Sequence, residues 1–182
     1  VASDGPGAAF DRALVEEAAR KSALVWVRGP GGTARALWHV WHDGAVWLVG
    51  GPGEQPLDGL GLVDGGRAEV SCRSKDKGGR LVVWPVAVTE PAPGGEAWTA
   101  AVAELSAKRL NGRDAPGATA DRWRDGCRVL RLGQEGEPTQ RPGAMPTASE
   151  AAPPLPSPAT TRSPTPSGLP ARRARRGRRG GV

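Results

Sequence analysis

The chain has 182 residues and a formal net charge of +6, from 25 Lys and Arg against 19 Asp and Glu. That charge sits at one end: residues 137–182 hold eight Arg and two Glu, which leaves residues 1–136 neutral with 17 charges of each sign. A neutral segment of this length buries one sizeable core, is too short for a multidomain enzyme, and offers no basic face for nucleic acid.

The first 21 residues carry charges throughout, from Asp4 to Lys21, so they lack the apolar stretch of a signal peptide. No apolar run approaches the roughly 20 residues of a membrane helix. Two cysteines, Cys72 and Cys127, are too few for a disulfide scaffold, and a cytoplasmic protein with reduced thiols and no membrane partner is expected. The abundance of Gly, Ala, Pro and Arg matches GC-rich codons and points to a high-GC bacterium.

Residues 1–7 read as a frayed start. Residues 8–21 then place Phe10, Leu14 and Ala18 on one helical face, with acidic groups early and Arg20 and Lys21 late, as the helix dipole favours. Residues 23–27 form a short β-rich run closed by glycines and a proline. Residues 34–42 read as one strand and 45–49 as its return, because Asp43-Gly44 between them suits a turn needing two positive φ angles. A Gly- and Pro-rich connection follows, with one helical turn around 57–62. Residues 67–73 alternate as a strand and 80–90 as a long one, in which Pro85 argues for an edge or a bulge. Residues 96–110 form a helix whose stripe is Trp98, Ala101, Val102 and Leu105. A polar loop leads past Trp123 to a last strand at 127–132.

No long helix separates consecutive strands, so a parallel doubly wound sheet is excluded. The fold class expected is mainly β with flanking helices (α+β): a six-stranded, largely antiparallel small barrel over residues 8–132. Residues 133–182, rich in Pro, Ala, Ser, Thr and Arg, are expected to form a disordered tail, of which residues 137–182 are dispensable for folding.

The segment SCRSKDKGGR at 71–80 puts Arg73, Lys75, Lys77 and Arg80 close together, beside Ser74 and two glycines whose amides suit a phosphate. The competing reading is a solvated hairpin tip. Gly50-Gly51-Pro52-Gly53 follows a strand but lacks the Lys and Ser/Thr of a phosphate loop. His39 and His42 are three apart and lie on opposite faces of a strand, so they do not share a metal, and no metal site is expected. His39 falls on the face of Leu37 and Trp41, as a core or pocket group bonded through its ring. Trp38, Trp41, Trp47 and Trp84 serve either as core or as walls for a planar ring. No nucleophile or acid–base pair is readable, and the catalytic residues and substrate stay unassigned.

The stretches ALVWVRGPGGTARALWHVWHDGAVWLVGG, GGRAEVSCRSKDKGGRLVVWPVAVTE and GEAWTAAVAELSAKRL, in that layout, resemble the FMN-binding split-barrel superfamily, the pyridoxamine 5′-phosphate oxidase-like group, and a small actinobacterial branch of it. The resemblance spans residues 8–132. It implies a six-stranded antiparallel split barrel that binds FMN, or the deazaflavin F420, at the interface of a homodimer. It also implies phosphate contacts from Arg, Lys and Ser/Thr on the strands and the loop after the hairpin. Gly50 and Gly51 end the return strand where relatives carry Thr or Ser, and the Gly53-Glu54-Gln55-Pro56 region replaces the usual following Lys, with a Glu54 that would repel a phosphate. The cofactor-binding candidates are therefore Arg73, Ser74, Lys75, Trp38, His39, Gly50 and Gly51. The implied function is that of a flavoprotein and possible oxidoreductase. A cofactor-free binding or structural member of the fold is the alternative. A weaker reading is salt-sensitive nucleic-acid binding through the Arg-rich tail.

Overall fold

The computed structural model describes residues 6–74, 79–109 and 116–146. Lys75 and Lys77 of the cationic loop, and the chain from residue 147, lie outside the described residues. In chain order the elements are α1 (Pro6–Lys21), β1 (Leu24–Arg28), β2 (Arg35–Trp38), β3 (Val40–His42), β4 (Ala45–Gly50), β5 (Arg67–Arg73), β6 (Arg80–Thr89), α2 (Glu96–Lys108), α3 (Pro116–Gly126) and β7 (Arg128–Gln134).

The strands form one antiparallel sheet in the order β2-β1-β5-β6-β7-β4-β3, curled into a nearly closed barrel. Among the described residues there are seven strands rather than the six expected, because residues 34–42 divide. The chain leaves β1 as its partner at Trp38 and takes up β4 at Val40, with His39 alone between. The two edges of the sheet are thus joined by consecutive backbone. Asp43 (φ 46°) and Gly44 (φ 65°) make the tight turn between β3 and β4, as the sequence requires.

Strand β4 is buried on both faces, and the period of two decides which side chain goes where. Val46 and Leu48 point into the barrel with Val25, Leu37, Val70 and Trp84. Trp47 and Val49 point outward against Trp98, Leu105 and Trp123 of α2 and α3. The stripe of α2 is buried as read: Trp98, Ala101, Val102 and Leu105.

Four local expectations are corrected. On α1 the buried face is Asp11, Val15, Ala18 and Ala19, while Phe10 is 66% exposed; the small side chains of Ala18 and Ala19 let the helix approach β3 and β6. Residues 116–126 form α3, not a loop; Thr119 and Trp123, one turn apart, are its buried residues. Residues 57–62 make a turn, with the Leu60 amide donating to the Leu57 carbonyl (3.3 Å), not a helix.

The fourth is Pro85, which lies in a central strand, β6. Its carbonyl accepts the Glu135 amide (2.9 Å), so its missing N–H would face the same side. On that side the β7 ladder begins only at Val86, and the next contact is the bridge of Val83 to Gln140. The absent donor falls in a gap of the ladder.

Past residue 132, where the sequence reading ends the domain, β7 continues to Gln134. Thr139 then donates to Val83, and the Val83 amide donates to Gln140, at 2.8 and 2.9 Å. Arg141 reaches the buried Asp11 carboxylate at 2.6 Å.

Candidate functional site

An open cavity of about 660 Å³ lies where four segments meet: the end of α1, the β2–β3 junction, the turn after β4 and the end of α2. Its size is within the range of small-molecule and cofactor sites. Trp38, His39 and Trp41 come from the junction, Ser22 from just beyond α1, and Gln55 from the turn.

The junction is held by side chains because its backbone has changed partners. Gln55 Oε1 accepts the Trp38 amide and Gln55 Nε2 donates to the Trp38 carbonyl, both at 2.9 Å. His39 Nε2 lies 2.9 Å from the Ala19 carbonyl, so Nε2 carries the proton and donates. Nδ1 is then an acceptor, buried and without a partner among the described residues. Burial pushes the His39 pKa below 6.5 and nearby Lys108 adds to this, against the opposing pull of the Ala19 bond. His39 is a neutral group.

Arg20, Lys108 and Arg109 bring positive charge to the rim. Arg20 pairs with Glu16 (2.8 Å) and Lys108 stands 4.0 Å from Glu104, both exposed contacts of little energetic weight. Glu54 is different. Its side chain is 3% exposed, and its carboxylate meets Arg109 at 3.0 Å, Arg122 at 2.8 Å and the Trp123 indole N–H at 2.8 Å. Burial works against its charge, but the bonds from Arg122, Trp123 and Arg109 outweigh it and hold the carboxyl below its ordinary range. The repulsion expected from Glu54 is therefore absorbed: its charge is shared by two guanidiniums instead of facing a ligand alone.

Of the residues singled out in the sequence, the structure brings Trp38 and His39 together. Gly50 and Gly51 open the neighbouring turn and border a separate cleft. Protein atoms account for both: a Cβ on Gly50 would lie 2.3 Å from Leu57 Cγ, and on Gly51 (φ 142°) 2.9 Å from the Gly126 carbonyl oxygen. Arg73 stacks its guanidinium over Trp26, 4.1 Å from the ring centre. The Ser74 amide donates to Gly79 (2.8 Å), closing the base of the loop. Neither borders the cavity, and Lys75 lies outside the described residues. Gln55, Lys108 and Arg109 went unrecognised in the sequence. The only signal was a Lys-Arg pair at a helix end, which the helix dipole already explains.

Burial pushes the Cys72 thiol up to about 11 against an opposing bond from Ser22, and burial also raises Cys127. Neither is a thiolate nucleophile at neutral pH. Among the described residues no three His, Cys, Asp or Glu gather as a metal site, and no helix is long and apolar enough to cross a membrane.

No protein-family model matches the chain, and no curated protein matches it. Among solved structures it is similar to HutZ, the heme storage protein of Vibrio cholerae, with TM-score 0.50 and 8% identity over 68% of this chain and 89% of that one. The fold is a split barrel. Two further likenesses are the conserved hypothetical protein Rv2991 of Mycobacterium tuberculosis (TM-score 0.44, 16% identity, 75% and 85% covered) and an F420 reductase (TM-score 0.38, 13% identity, 66% and 93% covered).

Proposed function

We propose that this chain is a flavin-binding split-barrel protein, that FMN is its ligand, and that the cavity beside Trp38 and His39 receives it. The observation that carries the reading is the make-up of that cavity: the aromatic Trp38 beside the cations Arg20, Lys108 and Arg109. A planar ring bearing a phosphate needs both. HutZ, of the same fold, is described as a heme storage protein. A haem reading is less favoured for this chain, because His39 already spends Nε2 on Ala19 and its Nδ1 is buried.

A bound flavin supplies hydride transfer. The chain's own part is to wall the ring with Trp38, to offer neutral His39 as a fixed polar neighbour, and to neutralise the phosphate. We further propose a homodimer in the cytoplasm. Leu24, 49% exposed, and the half-buried Trp26 leave apolar surface on β1 that a second copy would cover.

The test is the visible spectrum of the purified full chain, followed by titration with FMN and with F420. Flavin absorption, or saturable FMN binding, supports the reading. Saturable F420 binding alone replaces the ligand. A colourless chain that ignores both is a cofactor-free binding or structural protein. Light scattering at micromolar concentration checks the dimer, which a clean monomer mass refutes.

A further inference from the structure

Of the loop that the sequence offers for a phosphate, the described residues Arg73, Ser74, Gly79 and Arg80 do not border the cavity; the end of α2 does. Arg109 is anchored there from one side only. Its Nε donates to Glu54 Oε2 at 3.1 Å, and its Nη2 contacts Glu54 and the Gly53 carbonyl at 3.0 and 3.4 Å. Nη1 makes no hydrogen bond among the described residues. The side chain is 16% exposed and borders the cavity, so a guanidinium face is held rigid and still offers two N–H donors.

Lys108, adjacent in the chain, borders the same cavity, and its field already acts on His39. The helix dipole accounts for a basic residue at this place. It does not account for a carboxylate buried to 3% whose bonds go to Arg109, Arg122 and Trp123. That carboxylate fixes the Arg109 guanidinium at the cavity wall.

We propose that Arg109 and Lys108 hold the anionic group of a phosphorylated ligand in this cavity, and that Glu54 is the positioning residue that aims Arg109 at it. The proposal rests on the flavin reading for the ring, but the anion subsite is separable from it. Positive charge that the turn after β4 lacks in its own sequence, where Glu54 stands, is delivered from α2.

The experiment compares FMN with riboflavin, which lacks the phosphate, by calorimetry on the full chain and on Arg109→Ala, Lys108→Ala, Glu54→Gln and Arg73→Ala. Inorganic phosphate is titrated in parallel against the side-chain nitrogen resonances of Arg109 and Lys108. The chain is expected to prefer FMN to riboflavin by about tenfold or more, the value of a charge-assisted hydrogen bond. Arg109→Ala and Lys108→Ala should erase most of that preference, and an unchanged circular dichroism spectrum shows that they fold. Glu54→Gln should reduce it, and Arg109→Lys should not restore it, since an ammonium cannot bridge Glu54 and the cavity together.

Equal affinity for the two flavins, or loss of the preference in Arg73→Ala instead, overturns the subsite and leaves the flavin reading standing. If neither flavin binds, the flavin reading falls and the phosphate arm decides: shifts at Arg109 and Lys108 uphold the subsite, and unmoved resonances overturn it.

Discussion

Gln55 pairs with Trp38 as a neighbouring strand would, its amide oxygen accepting the Trp38 N–H and its amide nitrogen donating to the Trp38 carbonyl, both at 2.9 Å. This happens at the one point where the barrel wall changes partners. Two main-chain groups that would otherwise be unpaired in a part-buried seam are satisfied by one side chain. Gln55→Glu keeps the shape and loses the donor, setting a carboxylate against the Trp38 carbonyl. It should cost about 1–3 kcal/mol in urea unfolding, the penalty for a part-buried group left without its bond. An unchanged midpoint would show that water replaces Gln55 at no cost.

Glu54→Ala removes the acceptor of three donors, including the indole N–H of Trp123. The expected loss is about 2–3 kcal/mol, below the ~3–5 kcal/mol of a fully buried pair, because Arg109 and Arg122 keep some contact with water. The same group sets an acid limb. Its folded pKa is lowered, so the unfolded chain binds the proton more readily, and the stability present above pH 4.5 is lost as the pH falls through the folded value. In Glu54→Gln that limb should flatten in a series of thermal melts.

His39 acts in a separate window. Its folded pKa lies below 6.5, so stability is complete above that pH and declines as the pH falls from 6.5 through the folded value. His39→Gln keeps a donor for the Ala19 carbonyl and removes the titrating ring. Its melting temperature should change less than that of the parent between about pH 8 and about pH 5. Parallel curves for the two proteins would assign the acid sensitivity of this range elsewhere.

The segment after β7 is read from the sequence as dispensable, since it holds no apolar stripe. The structure makes part of it a strap. Thr139 and Gln140 complete the bonding of Val83, and Arg141 answers Asp11, which is 1% exposed. A chain ending at Gly136 should be less stable than one ending at Pro146 by about 3 kcal/mol, from two backbone bonds and a buried carboxylate stripped of its partner. Adding back residues 137–146 with Arg141→Ala should recover only the backbone share.

What was legible in the sequence was local. Asp43-Gly44 announced its turn through the φ angles it tolerates, and Trp98 to Leu105 announced α2 through period alone. The split at His39 was hidden because alternation continues through it: Leu37 and Trp41 still face the interior, and Trp38 and Val40 the helices. Helix α3 escaped because two buried residues make no stripe. The site fared worse. Glu54 and Arg109 are 55 residues apart, and no spacing rule links a turn to the far end of a helix. Arg73 drew notice as part of a run of cations, yet it lies over Trp26.

The division at His39 also governs how this sheet meets other chains. The sheet's terminal strands are β2 and β3, of four and three residues, and Gln55 already occupies the main chain of Trp38. A strand from a neighbouring molecule, seeking a row of bare amides and carbonyls on which to extend itself, finds almost none. A wall this rich in valine and tryptophan would be a template for fibrils if it lay open. Folded back on itself through a single histidine, it leaves only these two short strands as edges.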